Sequence, residues 1–112
     1  MTETPHLRDE LDALGVRRGE RVTLVQLSTK FCAPCRATRT TLAGVAELVP
    51  GVVHVEVDAE EHLALSRRVG LEVTPTTLVL DGAGVEVSRA AGVPRREQVL
   101  GLLSQIVDDV ST

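Results

Sequence analysis

The sequence predicts an α/β fold in which a four-stranded mixed sheet carries helices on both faces. Two connections between apolar strand-like segments support this prediction. A helical pattern separates the first two strands, and a glycine-rich turn joins the last two. A helical connection implies a right-handed parallel crossover, whereas a turn implies an antiparallel pair. Helices on both faces of such a sheet would bury every apolar stripe.

The first half of the chain predicts a short helix, a central strand and a long helix. The short helix begins near Pro5, because leucines recur at spacings of four and three, and it ends at Gly15. Residues 22–27 form a nearly continuous apolar run, which is typical of a strand buried on both faces. A helix over about residues 32–49 follows, and a Pro-Gly pair ends it.

The next segment predicts a strand and a short helix. In residues 52–58 every second residue is valine from position 53 onward, and this alternation places the valines on one face and polar residues on the other. Residues 60–69 predict a helix that buries Leu63 and Leu65 and ends at Gly70.

The last third of the chain predicts a hairpin and a helix. Residues 76–80 and 85–89 are short β-prone runs separated by a glycine-rich turn. The final helix begins near Pro94. Its apolar stripe consists of Val99, Leu103, Ile106 and Val110.

Length and composition limit what the protein can be. The chain has 112 residues and a formal net charge of −4, and Phe31 is its only aromatic residue. We expect a single domain, residues 1–112, with an aliphatic core. The negative charge and the lack of aromatic stacking platforms argue against a nucleic-acid partner. No apolar stretch approaches the roughly 20 residues that span a bilayer, and the polar N-terminus lacks a secretory pattern. We therefore expect a cytoplasmic monomer that binds no membrane.

Two cysteines, Cys32 and Cys35, lie at the predicted junction between a buried strand and a helix. Free N–H groups and a partial positive charge at a helix N-terminus stabilise a thiolate, so we expect the pKa of Cys32 below the free value of about 8.5. Cys32 would attack a disulfide, and Cys35, one helical turn further on, would resolve the mixed disulfide. Pro34 suits this first turn, because its missing N–H would have no helical partner there.

The neighbours of the cysteines predict the direction of exchange. Ala33 and Pro34 carry no charge, so only the helix end and the basic Arg36 stabilise the thiolate. A modestly lowered thiol pKa favours the disulfide form, and the pair should therefore be reducing.

Two other interpretations of the cysteines were weighed. A zinc site needs four ligands, and the two cysteines with His6, His54 and His62 match no zinc-finger spacing. We expect no bound metal, and we interpret His54 as a solvated or edge residue of a strand. Two buried, inert thiols are the other alternative, and the strand-to-helix position of the pair disfavours it.

From about Arg21 to Val107 the sequence resembles the thioredoxin family. The resemblance begins with an aromatic-Cys-x-Pro-Cys-basic motif and continues with several landmarks in the family's order and spacing. These landmarks are residues 31–36, Val57-Asp58, the helix end at Gly70, residues 73–76, Asp81-Gly82 and Gly92.

The resemblance implies a thioredoxin fold and a role for each matching residue. It makes Cys32 the nucleophile and Cys35 the resolving thiol. It further implies that Thr74–Pro75 is a cis peptide that faces the cysteines and whose backbone pairs with an extended substrate segment. Thr74 and Gly92 would line a shallow, mostly apolar groove around the active site. The remaining residues assigned to support the active site are Phe31, Ala33, Pro34, Arg36 and Gln26.

Three departures from the family pattern indicate a specialised member. Gln26 stands where the family usually has a buried Asp, and an amide cannot take a proton, so we expect Cys35 to be deprotonated more slowly. Ser28 and Phe31 stand where tryptophans are common, so the groove should be less aromatic. The usual first strand is missing, because the chain opens with a predicted helix.

The sequence therefore predicts a thiol–disulfide oxidoreductase that reduces disulfides in protein substrates. The chain carries no dinucleotide-binding motif and needs no cofactor of its own; NADPH would act only through a thioredoxin-reductase-like flavoprotein, and a low-molecular-weight thiol is the alternative reductant. One rival is a docking module with vestigial thiols, which Gln26 and Ser28 favour. An oxidase or isomerase of secreted proteins is a weaker rival.

Overall fold

The computed structural model describes the backbone of residues 7–111 and the side chains of residues 7–106. Helices and strands follow one another in the predicted order. They are α1 (Arg8–Ala13), β1 (Val22–Ser28), α2 (Ala33–Leu48), β2 (Val52–Asp58), α3 (Leu63–Arg68), β3 (Thr76–Asp81), β4 (Glu86–Ala91) and α4 (Arg96–Ser111).

The four strands form one mixed sheet in the order β2-β1-β3-β4. Strands β1 and β2 pair in parallel, and β3 pairs antiparallel with both β1 and β4, which confirms the predicted connections. All seven residues of β1 are buried, as its continuous apolar run predicts. Gln26 lies opposite Glu56 on β2 and opposite Thr77 on β3, so all three side chains point to one face of the sheet.

The two faces of the sheet carry different pairs of helices. On one face, leucines of α1 and α3 pack against the sheet, and on the other face α2 and α4 do so. The first cluster contains Leu7, Leu11, Val25, Leu27, Val57, Leu65, Val69, Leu78 and Leu80. The second contains Val22, Leu24, Leu42, Val45, Val52, Val79, Val99 and Leu103.

The prediction for α3 is wrong at one position. Leu65 is buried, but Leu63 is 54% exposed. At 3.6 residues per turn, two residues separated by one position lie on nearly opposite sides of a helix, so only one of them can face the sheet. Gly70 ends the segment with φ +66°, as expected.

Other boundaries differ by a few residues. The start of α1 predicted at Pro5 lies outside the described residues, whereas its end before Gly15, with φ +73°, is confirmed. Helix α4 begins two residues after Pro94; its residues Val99 and Leu103 are buried, and the side chain of Val110 is outside the described part.

Strand β2 buries less of its valine face than the alternation predicts. Val57 is buried there, while Val53 and Val55 are only half-buried, because β2 lies at the edge of the sheet. Val52 is buried on the opposite face.

Within residues 7–111 no helix combines the length and the apolar character needed to cross a membrane.

Candidate active site

The two cysteines lie at the N-terminus of α2 and form a disulfide, with their Cα atoms 5.1 Å apart. Cys32 is the N-cap residue and has an extended backbone, so its side chain turns back over the first helical turn. Its Sγ accepts a hydrogen bond from the backbone N–H of Cys35 at 3.1 Å. Cys32 is partly exposed, whereas Cys35 is only 1% exposed. Solvent and substrate therefore reach Cys32 first.

The first turn of α2 holds the two cysteines in place without losing a backbone hydrogen bond. Pro34 occupies one of the first two helical positions, where a missing N–H leaves no hydrogen bond unmade. The hydroxyl of the buried Thr38 donates to the carbonyl of Pro34 at 2.9 Å. Ala33 and Arg36 are exposed and border, together with Cys32, a cleft of about 370 Å³.

Phe31 stands in solvent directly before the nucleophile position, with its side chain fully exposed. It lines the same cleft as Cys32. A large apolar side chain without packing partners at this position offers contact area to another molecule.

The segment before β3 meets the end of β4 at the same end of the sheet as the cysteines. The Thr74–Pro75 peptide is cis, as the resemblance implies. The N–H of Gly92, which has φ +79°, donates to the carbonyl of Pro75 at 2.9 Å. Because Thr76 pairs with Leu27 near the end of β1, this loop lies beside the stretch that leads to Cys32. The structure thus places the residues expected to bind substrate at the same end of the sheet as the cysteine pair.

Gln26 lies directly beneath α2 and is completely buried. Its Nε2 donates to the carbonyl of Cys35 at 2.7 Å and to the Ser28 hydroxyl at 2.8 Å, and lies 3.3 Å from Glu56 Oε2. A carbonyl and a carboxylate can only accept, so the amide has one possible orientation. Its Oε1 consequently faces His54 Nε2 at 2.9 Å, and His54 must donate.

His54 lies on the edge strand β2, as one of its two interpretations predicts, but the alternative of a fully solvated side chain does not hold. Its ring is about half-buried against Gln26, because the face of β2 that carries His54 is covered by α2. Burial lowers the pKa of His54 below its ordinary value, and this effect exceeds the opposing attraction of Glu56. The imidazole is therefore neutral at pH 7 and carries its hydrogen on Nε2.

Glu56 and Arg39 form an ion pair that the sequence analysis missed. The guanidinium donates through Nε and an Nη atom to the two carboxylate oxygens at 2.6 and 2.9 Å. The hydrogen bond from Arg39 holds the pKa of Glu56 below its ordinary value. The Ser28 side chain is small, and beside it a polar cleft of about 260 Å³ opens along this pair.

A sequence signal for this cluster did exist. Gln26 and Ser28 alternate on β1, and His54 and Glu56 alternate on β2, so in a parallel pair all four can share one face. Without the register between β1 and β2, the alternation alone assigns the polar face of β2 to solvent.

The arrangement of the two cysteines can exchange disulfides. An accessible sulfur lies at a helix N-terminus, and a buried sulfur lies within bonding distance behind it.

Comparisons with known proteins agree with this geometry. A family model described as a thioredoxin-like domain matches residues 16–106. A thioredoxin H-type of Oryza sativa subsp. indica is 29% identical over 89 residues, which is 78% of this chain and 72% of the rice protein. Thioredoxin H-type 1 of Nicotiana tabacum is 30% identical over 78 residues, 70% of this chain and 61% of the tobacco protein.

Solved structures show the same fold. A mutant thioredoxin from Halobacterium salinarum NRC-1 superposes with a TM-score of 0.73 over 95% of this chain and 96% of that protein, at 20% sequence identity. At this level of identity the likeness establishes the fold alone.

Proposed function

The chain belongs to the thioredoxin-like family and is a thiol–disulfide oxidoreductase, and from this premise we propose that it reduces disulfide bonds in other proteins. One observation carries the proposal. Cys32 caps α2 at the surface and accepts the N–H of Cys35, while Cys35 is buried behind it. This asymmetry separates an attacking sulfur from a resolving one.

We assign the two steps of the reaction to the two sulfurs. The thiolate of Cys32 attacks one sulfur of the substrate disulfide, an S–S bond forms to Cys32, and the other substrate sulfur leaves and takes a proton. Cys35 then loses its proton and attacks the sulfur of Cys32. The Cys32–Cys35 disulfide forms, and the second substrate thiol is released. Two electrons pass from the chain to the substrate, and the two protons that complete the substrate thiols balance those that Cys32 and Cys35 lose on ionising.

The surroundings of Cys32 support the reducing direction. The helix N-terminus stabilises its thiolate, but Ala33 and Pro34 add neither charge nor a donor. Arg36 is exposed, so solvent screens its effect on the sulfur. The reduced form is thus not stabilised strongly, which leaves the pair inclined to give up its electrons.

We assign the substrate groove to residues at the same end of the sheet. The Thr74–Pro75 peptide would pair with an extended substrate segment through the backbone groups of Thr74, because Pro75 has no N–H and its carbonyl already accepts from Gly92. Gly92 has no side chain and would leave the floor of the groove open. The exposed ring of Phe31 would cover apolar substrate residues. This assignment gives a shallow groove that accepts flexible disulfide loops.

The proposal extends to the protein's setting. Residues 1–112 would act as one domain and as a cytoplasmic monomer, with electrons carried only on the two cysteine sulfurs. A thioredoxin-reductase-like flavoprotein that draws on NADPH, or a low-molecular-weight thiol, would return the pair to the dithiol form.

Reduction of insulin in the presence of dithiothreitol tests the function. We expect the chain to accelerate reduction, Cys32→Ser to abolish the acceleration, and Cys35→Ser to accumulate a mixed disulfide. Activity that survives in Cys32→Ser would contradict the proposal. The reduction potential, obtained by alkylation and mass shift in redox buffers, tests the direction: a value near about −270 mV supports a reductant, and one near about −120 mV indicates an oxidant.

A docking role is the second candidate, and the non-titratable Gln26 is the observation that favours it. In that case Cys32→Ser would still bind the partner, and the chain would not accelerate insulin reduction.

A further inference from the structure

The Arg39–Glu56 ion pair lies at the surface between α2 and β2, and Gln26 links it to the backbone of Cys35. Arg39 follows Cys35 by four residues on α2, which places the two side chains next to each other on one helix face. Glu56 is the neighbour of Gln26 across the β1–β2 register, and Gln26 donates to the carbonyl of Cys35. Both charges therefore border the contact between Cys35 and Gln26.

We propose that the Arg39–Glu56 pair sets the stability of the Cys35 thiolate and thereby, at a pH at which Cys35 ionises, the equilibrium between the disulfide and dithiol forms. The inference rests on the proposed function, in which Cys35 bears negative charge in both directions of exchange. When an incoming thiolate attacks Cys32, the Cys32–Cys35 bond breaks and Cys35 leaves with the electron pair as a thiolate. When Cys35 resolves a mixed disulfide, it must first lose its proton.

Burial makes this thiolate sensitive to nearby charge. Cys35 is 1% exposed, and a buried site disfavours an ionised sulfur unless a positive charge compensates it. Gln26 and Ser28, which face it from β1, are neutral. The charged and titratable side chains nearby are Lys30 after β1, Cys32 at the N-cap of α2, Arg36 and Arg39 on α2, and His54, Glu56 and Asp58 on β2.

Among these groups, Arg39 and Glu56 cancel each other through two hydrogen bonds. His54 adds no charge at pH 7, because burial lowers its pKa. While the pair is intact, the sulfur therefore experiences little net charge from this side. Neutralising one member leaves the other uncompensated next to Cys35, and the sign of the effect depends on which member is removed.

The two single substitutions should act in opposite directions. In Glu56→Gln the free guanidinium stabilises the thiolate, so the disulfide becomes easier to reduce. In Arg39→Gln the free carboxylate destabilises the thiolate, so the disulfide becomes harder to reduce. The double substitution should return close to the parent protein. A purely structural role would shift both single variants in the same direction.

The experiment is the equilibrium of the full chain with a dithiol redox buffer at low salt, read by alkylation and mass shift. It is run at about pH 10, above the free thiol pKa of about 8.5, so that Cys35 ionises in the reduced chain. We expect the ratio of reduced to oxidised protein to rise about threefold to tenfold in Glu56→Gln and to fall by a similar factor in Arg39→Gln. A tenfold change corresponds to about 30 mV for this two-electron couple. High salt should shrink both shifts, because about half of the Arg39 side chain is exposed.

A second ion pair provides the matched control. Arg89 and Glu86 are paired at 2.6 Å on β4, the opposite edge of the sheet from β2. Glu86→Gln makes the same change in net charge as Glu56→Gln and should leave the equilibrium unchanged. Arg39→Lys keeps the charge, and should therefore stay near the parent value even if the geometry of the pair is lost.

Three results would overturn the inference: shifts of the same sign in the two single variants, shifts no larger than in Glu86→Gln, or a full shift in Arg39→Lys. The measurement uses no protein substrate, so it is independent of the insulin assay. Opposite shifts with no insulin reduction would contradict only the proposed function, and insulin reduction without the shifts would contradict only this inference.

Discussion

At the scale of single residues, the polar cluster of Gln26, Ser28 and His54 beneath α2 shows how neighbouring side chains supply the hydrogen bonds that a buried glutamine needs. Gln26 uses both its amide hydrogens and its oxygen, and His54 is the donor that satisfies the oxygen. A buried amide whose oxygen had no partner would cost about 1–3 kcal/mol. His54 is therefore as much a part of the cysteine environment as Gln26 is.

The lowered pKa of His54 predicts a pH dependence of stability. The folded protein holds this imidazole neutral, while the unfolded chain protonates it near its ordinary pKa of about 6.5. In acid the unfolded state therefore binds more protons. The free energy of unfolding should fall as the pH drops below about 6.5 and should level off once the pH is below the folded-state pKa of His54.

Urea unfolding of the oxidised protein at a series of pH values checks this prediction. His54→Gln keeps an N–H donor for Gln26 but cannot titrate, so its stability should be flat over the same interval. Glu56, whose pKa is also lowered, loses its contribution only at lower pH, below its ordinary value near 4.5. An unchanged pH dependence in His54→Gln would show that another group is responsible.

The same cluster marks where sequence reasoning reached its limit. Cys32 and Cys35 could be located from their spacing and from the strand-to-helix position, because both are local properties. The partners of Gln26 could not, since they depend on which residues of β1 and β2 lie opposite each other. Leu63 was misplaced for a simpler reason, namely that its helical phase differs from that of Leu65.

At the scale of elements, α1 depends on the rest of the molecule. It has six residues and no side-chain cap, and an isolated helix this short is unstable in water. Leu7 and Leu11 bury it in the first core cluster, and the N–H of Leu7 donates to the carbonyl of Gly84 at 2.9 Å. An ion pair between Glu10 and Arg68 links it to α3. In this chain α1 covers one face of the sheet, with no strand before β1 among residues 7–21.

This packing predicts that Leu11→Ala destabilises the whole protein rather than α1 alone. Leu11 is 0% exposed, and truncation of a fully buried leucine costs about 2–5 kcal/mol. Leu14→Ala, at a residue that is 37% exposed, should change the unfolding free energy by no more than about 0.5 kcal/mol. Urea denaturation followed by circular dichroism compares the two. Equal, small effects would mean that α1 is not part of the cooperative core.

The order of elements was predictable because each leaves a periodic pattern and each connection limits the pairing. The parallel crossover and the hairpin followed from the connections alone. Helix ends were less predictable: α4 begins at Arg96 rather than Pro94, since proline tolerates a position just before a helix as well as one inside its first turn.

At the scale of the whole molecule, three exposed apolar side chains lie at the end of the sheet that carries the cysteines. Phe31, Val73 and Val93 are all exposed, and they lie next to Cys32, the cis peptide and Gly92, respectively. The distribution predicts that large substrates bind by this end, whereas small disulfides reach Cys32 without it.

Phe31→Ala tests this prediction. Because the ring is fully exposed, the substitution should leave stability within about 0.5 kcal/mol of the parent. The kcat/KM for a protein disulfide should fall about fivefold, as expected for the loss of an aromatic contact, while the value for a small disulfide should fall by less than about twofold. Leu48→Ala removes an exposed side chain at the far end of α2 and should change neither value. Equal losses for both substrates would mean that Phe31 acts on the sulfur rather than on docking.

The hydrogen bond from the Cys35 amide to the sulfur of Cys32 also gives the molecule an internal reporter. In the oxidised chain the amide proton points at a neutral sulfur, and in the reduced chain it points at a sulfur that can ionise. Hydrogen bonds to an anion are shorter and stronger. The nuclear magnetic resonance frequency of this one proton will therefore follow the oxidation state, in a chain that has no tryptophan or tyrosine for fluorescence.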